Sequence, residues 1–258
     1  MTRTALITGA SGGIGLELAR IHASKGGNLI LVARTKTKLD EIKSELESKN
    51  QVKVYTIGKD LSAADSAIEV YNEIKEQNIT VDYLINNAGY GDYGLFEETN
   101  WEKEALMIQL NIVTLTQLTK LFLPGMISRG GGKIMNLGST ASFQPVALMT
   151  VYAATKAYVL SFSQAIHSEL SGKGITVTAL CPGLTESGFV DAAAMGDSKM
   201  TTRKLPTARE VAEYGYKAMI KGKAIAVHGY KNRLLIFMQR FVPRSLAVEM
   251  TKNLMATK

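Results

Sequence analysis

Among its 258 residues the chain has one cysteine, Cys181, so it cannot form a disulfide framework within itself; this usage fits a reducing compartment, and the cytoplasm is the expected location. It has no Pro/Gly/Ser-rich stretch to serve as a linker, which argues for one domain although the length would also allow two. No run approaches the ~20 apolar residues that a membrane span needs, and no apolar signal segment precedes the first strand-like stretch. His22, His167 and His228 have no ligand-like neighbours, and without clustered Cys, His or carboxylates no metal site is expected.

What is present is ordinary for a soluble enzyme: 46% hydrophobic and 21% charged residues. The formal charge of +7 could mean an anionic partner such as nucleic acid, membrane or a phosphorylated cofactor. The basic residues are spread along the chain beside acids, as in KTKLDEIKSELESK, which is the pattern of a solvated helix face. No nucleic-acid partner is expected.

Short apolar runs alternate with amphipathic ones. TALIT, NLILVA, VKVYTI, VDYLIN, GKIMNL and GITVTAL read as strands. Between them, IGLELARIHASKG, TKLDEIKSELESKN, AIEVYNEIKEQN, a long stretch from Trp101 to Ile127, and the run around Tyr152 read as helices. This rhythm implies an α/β fold, a doubly wound parallel sheet covered by helices on both faces, in which ligands bind at the carboxyl ends of strands.

The first strand ends in TGASGGIG, Thr8 to Gly15. Glycines there permit a tight turn, close approach of backbone N–H groups to a phosphate, and close helix–strand packing. No Gly-Lys-Ser/Thr closes the turn, so it is not a P-loop; by itself it could also be a turn that binds nothing. Farther on, YAATK sets Tyr152 and Lys156 four residues apart, on one face of a helix. Alone, that pair could be core packing, a surface pair or an acid–base device.

TGASGGIG, KDL at 59–61, NNAG at 86–89, Asn111 in the long helix, Ser139 in NLGSTAS, YAATK and CPG at 181–183 follow one another in the order found in short-chain dehydrogenases/reductases. The chain resembles that family up to about Val227. The resemblance implies that Tyr152 is the general acid/base, that Lys156 tunes it and holds the nicotinamide ribose, that Ser139 hydrogen-bonds the substrate oxygen, and that Asn111 steadies a proton-carrying water chain. A free phenol has a pKa of about 10, and bringing it near neutrality takes about 4 kcal/mol, which Lys156 and an oxidised nicotinamide ring are expected to supply as nearby positive charge. The alternative is a non-catalytic NADP(H)-binding sensor or scaffold on the same fold, which decay of the four catalytic residues would have favoured.

The resemblance also implies a dinucleotide site at Gly9, Ser11, Gly13, Ile14 and Gly15, with Asp60 and Leu61 on the adenine and Asn87, Ala88 and Gly89 along the adenosine ribose. Pro182, Gly183 and Thr185 would lie at the nicotinamide. Ala33 stands where relatives using NAD place an acid, and Arg34 follows with Lys36 and Lys38 close by, so NADP(H) is the expected cofactor. The Gly-rich turn itself carries Ser11 where many NADP-binding relatives have a basic residue.

Candidate pocket residues are Phe143, Gln144, Pro145, Leu148 and Met149 before the Tyr152 helix, and Leu184, Phe189, Val190 and Met195 after it; residues 185–204 are long enough for a lid. These apolar walls suit a small hydrophobic carbonyl or alcohol, and a homodimer or homotetramer is expected. The catalytic domain is expected over residues 1–228. Residues 229–258 form a basic amphipathic extension, with Arg233, Arg240 and Arg244, that Pro243 breaks into two segments. Docking of this extension on a partner subunit or a membrane surface is weighed against folding over its own cleft, and membrane contact is not favoured.

Overall fold

A computed structural model describes residues 2–189, 193 and 205–255. Seven parallel strands form one sheet: β1 (Thr4–Thr8), β2 (Asn28–Ala33), β3 (Val54–Gly58), β4 (Tyr83–Asn86), β5 (Gly132–Leu137), β6 (Ile175–Cys181) and β7 (Ile225–Val227), in the order β3-β2-β1-β4-β5-β6-β7. The helices are α1 (Gly13–Ala23), α2 (Lys36–Asn50), α3 (Ser66–Glu76), α4 (Trp101–Ile108), α5 (Leu115–Ser128), α6 (Thr150–Glu169), α7 (Ala208–Ile220), α8 (Tyr230–Met238) and α9 (Arg244–Met255).

Alternation along each strand decides which face a side chain serves. In β1, Ala5 and Ile7 join a core cluster with Leu29, Leu31 and Leu18, whereas Leu6 joins another with Ile30, Val32 and Leu84. Both faces are buried, so the strands read as continuous apolar runs, as parallel sheets require. Leu6 pairs with Ile30 on one side and Leu84 on the other. Strand order reverses between β1 and β4, and the crevice at their carboxyl ends is the ligand position of such sheets.

The long helical stretch is interrupted. A π-helical segment, Gln109–Thr114, separates α4 from α5 and carries Asn111. Against the expectation that no stretch has the make-up of a span, Trp101–Ser128 is long and apolar enough by length and composition. Its buried Met107, Leu118, Phe122 and Met126 pack into the core clusters, as a core helix does. Sequence patterning also passed over α7 and β7. The start of α7 carries a capping box, in which Thr207 N donates to Glu210 Oε2 (2.8 Å) and Glu210 N to Thr207 Oγ1 (3.2 Å).

Candidate active site

One cleft, with a cavity volume of about 410 Å3, runs along the carboxyl ends of the strands. At one end is the glycine turn. Gly9 has φ +65°, and a Cβ there would stand 2.9 Å from Ala88 Cα. A Cβ on Gly15 would stand 2.3 Å from the Gly9 carbonyl oxygen, so the helix can approach the strand only with glycine in that place. The N-cap, Gly12, offers no side-chain acceptor to the first turn of α1, which leaves backbone N–H groups and the positive helix end for an anion. Asn87 N and Ala88 N both donate to Thr8 Oγ1 (3.0 and 2.9 Å), and Asn87 Nδ2 donates to Thr8 O (2.9 Å), tying the NNAG segment to this turn.

Gly9, Ser11, Gly13, Ile14, Arg34, Asn87, Ala88 and Gly89 line this end of the cleft. Arg34 is exposed and makes no hydrogen bond or ion pair with a described residue. Lys36 is engaged elsewhere: its ammonium donates to Thr56 Oγ1 (2.9 Å) and Asp40 Oδ1 (3.2 Å), so of the two lysines grouped with Arg34 in the sequence it is not a free phosphate ligand.

At the other end Ser139, Tyr152 and Lys156 meet. Ser139 follows β5 and caps a short 3₁₀ turn, Thr140–Phe143: its Oγ accepts from Ala141 N (3.1 Å) and its own N–H donates to Ser142 Oγ (3.0 Å). Tyr152 and Lys156 sit one turn apart on α6, both buried. The Lys156 ammonium donates to Leu137 O (2.8 Å) and lies 5.7 Å from the centre of the Tyr152 ring. Phe189 covers that ring, with centroids 5.2 Å apart. Pro182, Gly183 and Thr185 complete the wall.

Without the nicotinamide charge on which the sequence expectation also rests, burial sets the electrostatics. Burial pushes the Tyr152 phenol up to about 12, opposed by its hydrogen bond with Ser139, and burial brings Lys156 down to about 8. A lysine that is itself desolvated and directed at a carbonyl does not lower the phenol's pKa in this state. Burial also pushes the Cys181 thiol up to about 12, which favours its protonated form.

Seven of the described residues assigned from sequence do not line the cleft. Gly15 is packed beneath the turn. Leu61 is buried, with its carbonyl accepting from Thr114 Oγ1 (2.8 Å), and Asp60 accepts from Ser62. Asn111 lies under the floor: its Nδ2 donates to Tyr90 O (3.1 Å) and Thr155 Oγ1 (3.0 Å), and its Oδ1 is buried without a partner among the described residues. Phe143 turns away and packs with Leu160, Val227 and Ile236. Leu148 has φ +64° and faces a separate small hollow beside Asp92 and Thr150. Gln144, Met149, Leu184 and Phe189 do line the cleft, whereas Pro145 does not, its carbonyl accepting from Thr251 at the rim. Val190, Met195 and residues 190–192 and 194–204 of the expected lid lie outside the described residues.

Val146, Ala141, Ser187 and Thr251 line the cleft without having been singled out. Thr251 comes from α9, and its Oγ1 reaches Pro145 O (3.2 Å) across the rim. Gln239 Nε2 donates to Gln144 Oε1 nearby. The extension therefore folds over the mouth of its own cleft. No local signal in the sequence could have placed Thr251 there. Among the described residues no group of three or more His, Cys, Asp or Glu side chains could hold a metal ion.

Residues 3–196 match the family model for short chain dehydrogenases. The chain is 36% identical over 184 residues to the human very-long-chain 3-oxoacyl-CoA reductase, a match covering 69% of this chain and 58% of that protein, so it spans under two thirds of the length of such curated relatives. Among solved structures it is similar to a short-chain dehydrogenase from Sphingobium yanoikuyae in complex with NADPH, with 31% identity, TM-score 0.83 and coverage of 93% and 94% of the two chains. It is also similar to a bulky-bulky ketone specific alcohol dehydrogenase from Comamonas testosteroni, with 31% identity, TM-score 0.79 and coverage of 93% and 92%. With three quarters of its length inside the family model, the chain belongs to the short-chain dehydrogenase family of oxidoreductases.

Proposed function

We propose that the protein is an NADPH-dependent reductase that interconverts a hydrophobic carbonyl compound and its alcohol. The observation that carries this reading is the joint placement of Ser139, Tyr152 and Lys156 on the wall of a cleft whose far end is a glycine turn with an arginine that no described residue pairs. The turn, the bare start of α1 and Arg34 fit a dinucleotide with an extra phosphate, because a planar forked cation is suited to a phosphate and no acid stands at that strand end. The neighbour from Sphingobium, with its NADPH, supports the same choice.

Bound NADPH supplies a hydride equivalent. The chain's own residues supply the rest. Ser139 donates a hydrogen bond to the carbonyl oxygen as negative charge develops there. Tyr152, held as a phenol by burial, gives its proton to that oxygen, so that carbonyl, hydride and proton balance as an alcohol. Lys156 would hold the nicotinamide ribose, and Phe189, packed on the Tyr152 ring, would keep water from above the phenol.

Val146, Met149, Leu184 and Phe189 give the substrate end an apolar lining, with Gln144 and Thr251 as polar groups at the rim. Among the described residues no lysine or arginine other than Lys156 and Arg34 lines the cleft, which supports an uncharged ketone with bulk on both sides of the carbonyl over a small carboxylate. The Comamonas neighbour, specific for bulky-bulky ketones, supports this choice. A panel of aryl and alicyclic ketones, 3-oxoacyl thioesters and aldehydes, followed by NADPH absorbance, tests the reading. Turnover of none of them, with NADPH bound, would favour the sensor or scaffold.

A further inference from the structure

The helix α8 is amphipathic in the inverted sense. Together with the 3₁₀ turn that continues it, Gln239–Phe241, its inward face is Asn232, Ile236 and Gln239: Asn232 Nδ2 donates to His228 O (2.8 Å), Ile236 packs beside Phe143 and Val227, and Gln239 donates to Gln144. Tyr230, Leu234, Phe237, Met238 and Phe241 fall at i, i+4, i+7, i+8 and i+11, a single stripe on the opposite side. Each of these five is between 49% and 70% exposed, and no residue of α8 is buried. In α9, Leu246 and Met250 are also more than half exposed. A contiguous apolar face of this kind marks a surface that meets something other than water.

Charge says which partner. Lys231 flanks the stripe on one side and Arg233 and Arg240 on the other; all three are exposed, and none is in an ion pair with a described residue. Between Glu213 and Glu249 the sequence contains seven lysines and arginines and no acid. A second copy packed face to face would bring these cations against one another with no carboxylate in the segment to compensate. An anionic lipid surface would instead take the aromatic and aliphatic stripe into its interfacial zone and pair its phosphates and carboxylates with the flanking cations.

We infer that α8 is a membrane-docking element that seats the protein on a bilayer surface carrying anionic lipid. Its inward face forms the rim of the cleft through Gln239 and Gln144, and Thr251 of α9 lines the cleft itself. Docking therefore sets the mouth of the apolar pocket beside the lipid, the phase in which an uncharged hydrophobic substrate is concentrated. The surface contact does not depend on which carbonyl is reduced or on whether any is.

The test is flotation of the full chain, without substrate or nucleotide, on vesicles of phosphatidylcholine alone and of phosphatidylcholine with about a third phosphatidylserine. The intact protein is expected to float with the anionic vesicles and to be released by salt. Each cation near such a surface contributes about fivefold in partitioning, so Arg233→Gln with Arg240→Gln should weaken binding roughly 25-fold. Leu234→Glu with Phe237→Glu should abolish it. These side chains point away from the body, so circular dichroism and Tm should stay those of the intact protein; if the glutamate variant fails to fold, the arginine pair carries the same test. Intact protein that fails to float with anionic vesicles overturns the inference. So does equal binding to neutral vesicles with no effect of the arginine changes. A stripe that belongs to a second copy would appear as no flotation together with a smaller oligomer for the glutamate variant on size exclusion with light scattering.

Discussion

Asn111 and Lys156 face each other across Gly89. A Cβ on Gly89 would stand 2.8 Å from the unpartnered Asn111 Oδ1 and 3.3 Å from Lys156 Nζ. Gly89→Ala should therefore push one of these groups aside. Overpacking of this kind costs about 1–3 kcal/mol, and the expected outcome is a lower urea midpoint together with weakened NADPH binding. Unchanged stability and affinity would mean that the Asn111 amide turns away without consequence.

Tyr152→Phe keeps the ring that packs under Phe189 and removes only the acidic hydroxyl. NADPH should still bind, measured by its fluorescence, while kcat on a good substrate falls by about 10²–10⁴-fold, the typical contribution of a positioned acid–base group. Near-normal turnover would end the assignment of Tyr152 as proton donor.

The lysine supplies a pH signature. Its folded-state pKa, about 8, lies below the ordinary 10.5, so its ammonium is lost as pH rises through about 8, and NADPH affinity should decline there if that ammonium holds the ribose. Lys156→Met should bind more weakly and show no such inflection. The sign for stability follows from the same depression: the lysine's contribution is present above about 10.5 and lost as pH falls through about 8. The methionine variant should therefore be the more stable protein at pH 7, by up to about 3 kcal/mol, with the advantage vanishing near pH 10.5. Denaturant melts across pH 6–10.5 read this directly. A variant that is less stable at every pH would show that the hydrogen bond to Leu137 outweighs the cost of burying the charge.

Arg34→Ala should raise KM for NADPH and leave KM for NADH nearly unchanged. A charge-assisted hydrogen bond is worth about 1.5–3 kcal/mol, or roughly ten- to over a hundred-fold in affinity. Equal effects on both cofactors would make Arg34 a structural residue. Lys36→Ala should have little effect on either, because that ammonium is already tied to Thr56 and Asp40.

Local chemistry made much of this protein legible from its residues. Apolar runs of strand length separated by amphipathic helices specify a parallel sheet buried on both faces, and β1, β2 and β5 begin and end where those runs do. Glycines that must turn tightly, and a tyrosine and lysine at helical spacing, mark both ends of the cleft. Pro243 breaks the extension because proline cannot continue a helix, and α8 and α9 lie on either side of it.

Other features depend on neighbours far away in sequence. The π segment at Asn111 departs from the regular helix that hydrophobic periodicity implied there. Phe143 and Leu148 sit in apolar segments beside Ser139 and Tyr152, yet the 3₁₀ turn and a left-handed backbone at Leu148 send them away from the cleft. The phenol's proton affinity without a bound cofactor also depends on everything packed around Tyr152, and there burial pushes it up to about 12. Periodicity in a tail also says only that a helix has an apolar stripe. Which way the stripe faces was decided when Asn232, Ile236 and Gln239 found partners on the body, which left the aromatic and aliphatic side of α8 pointing outward.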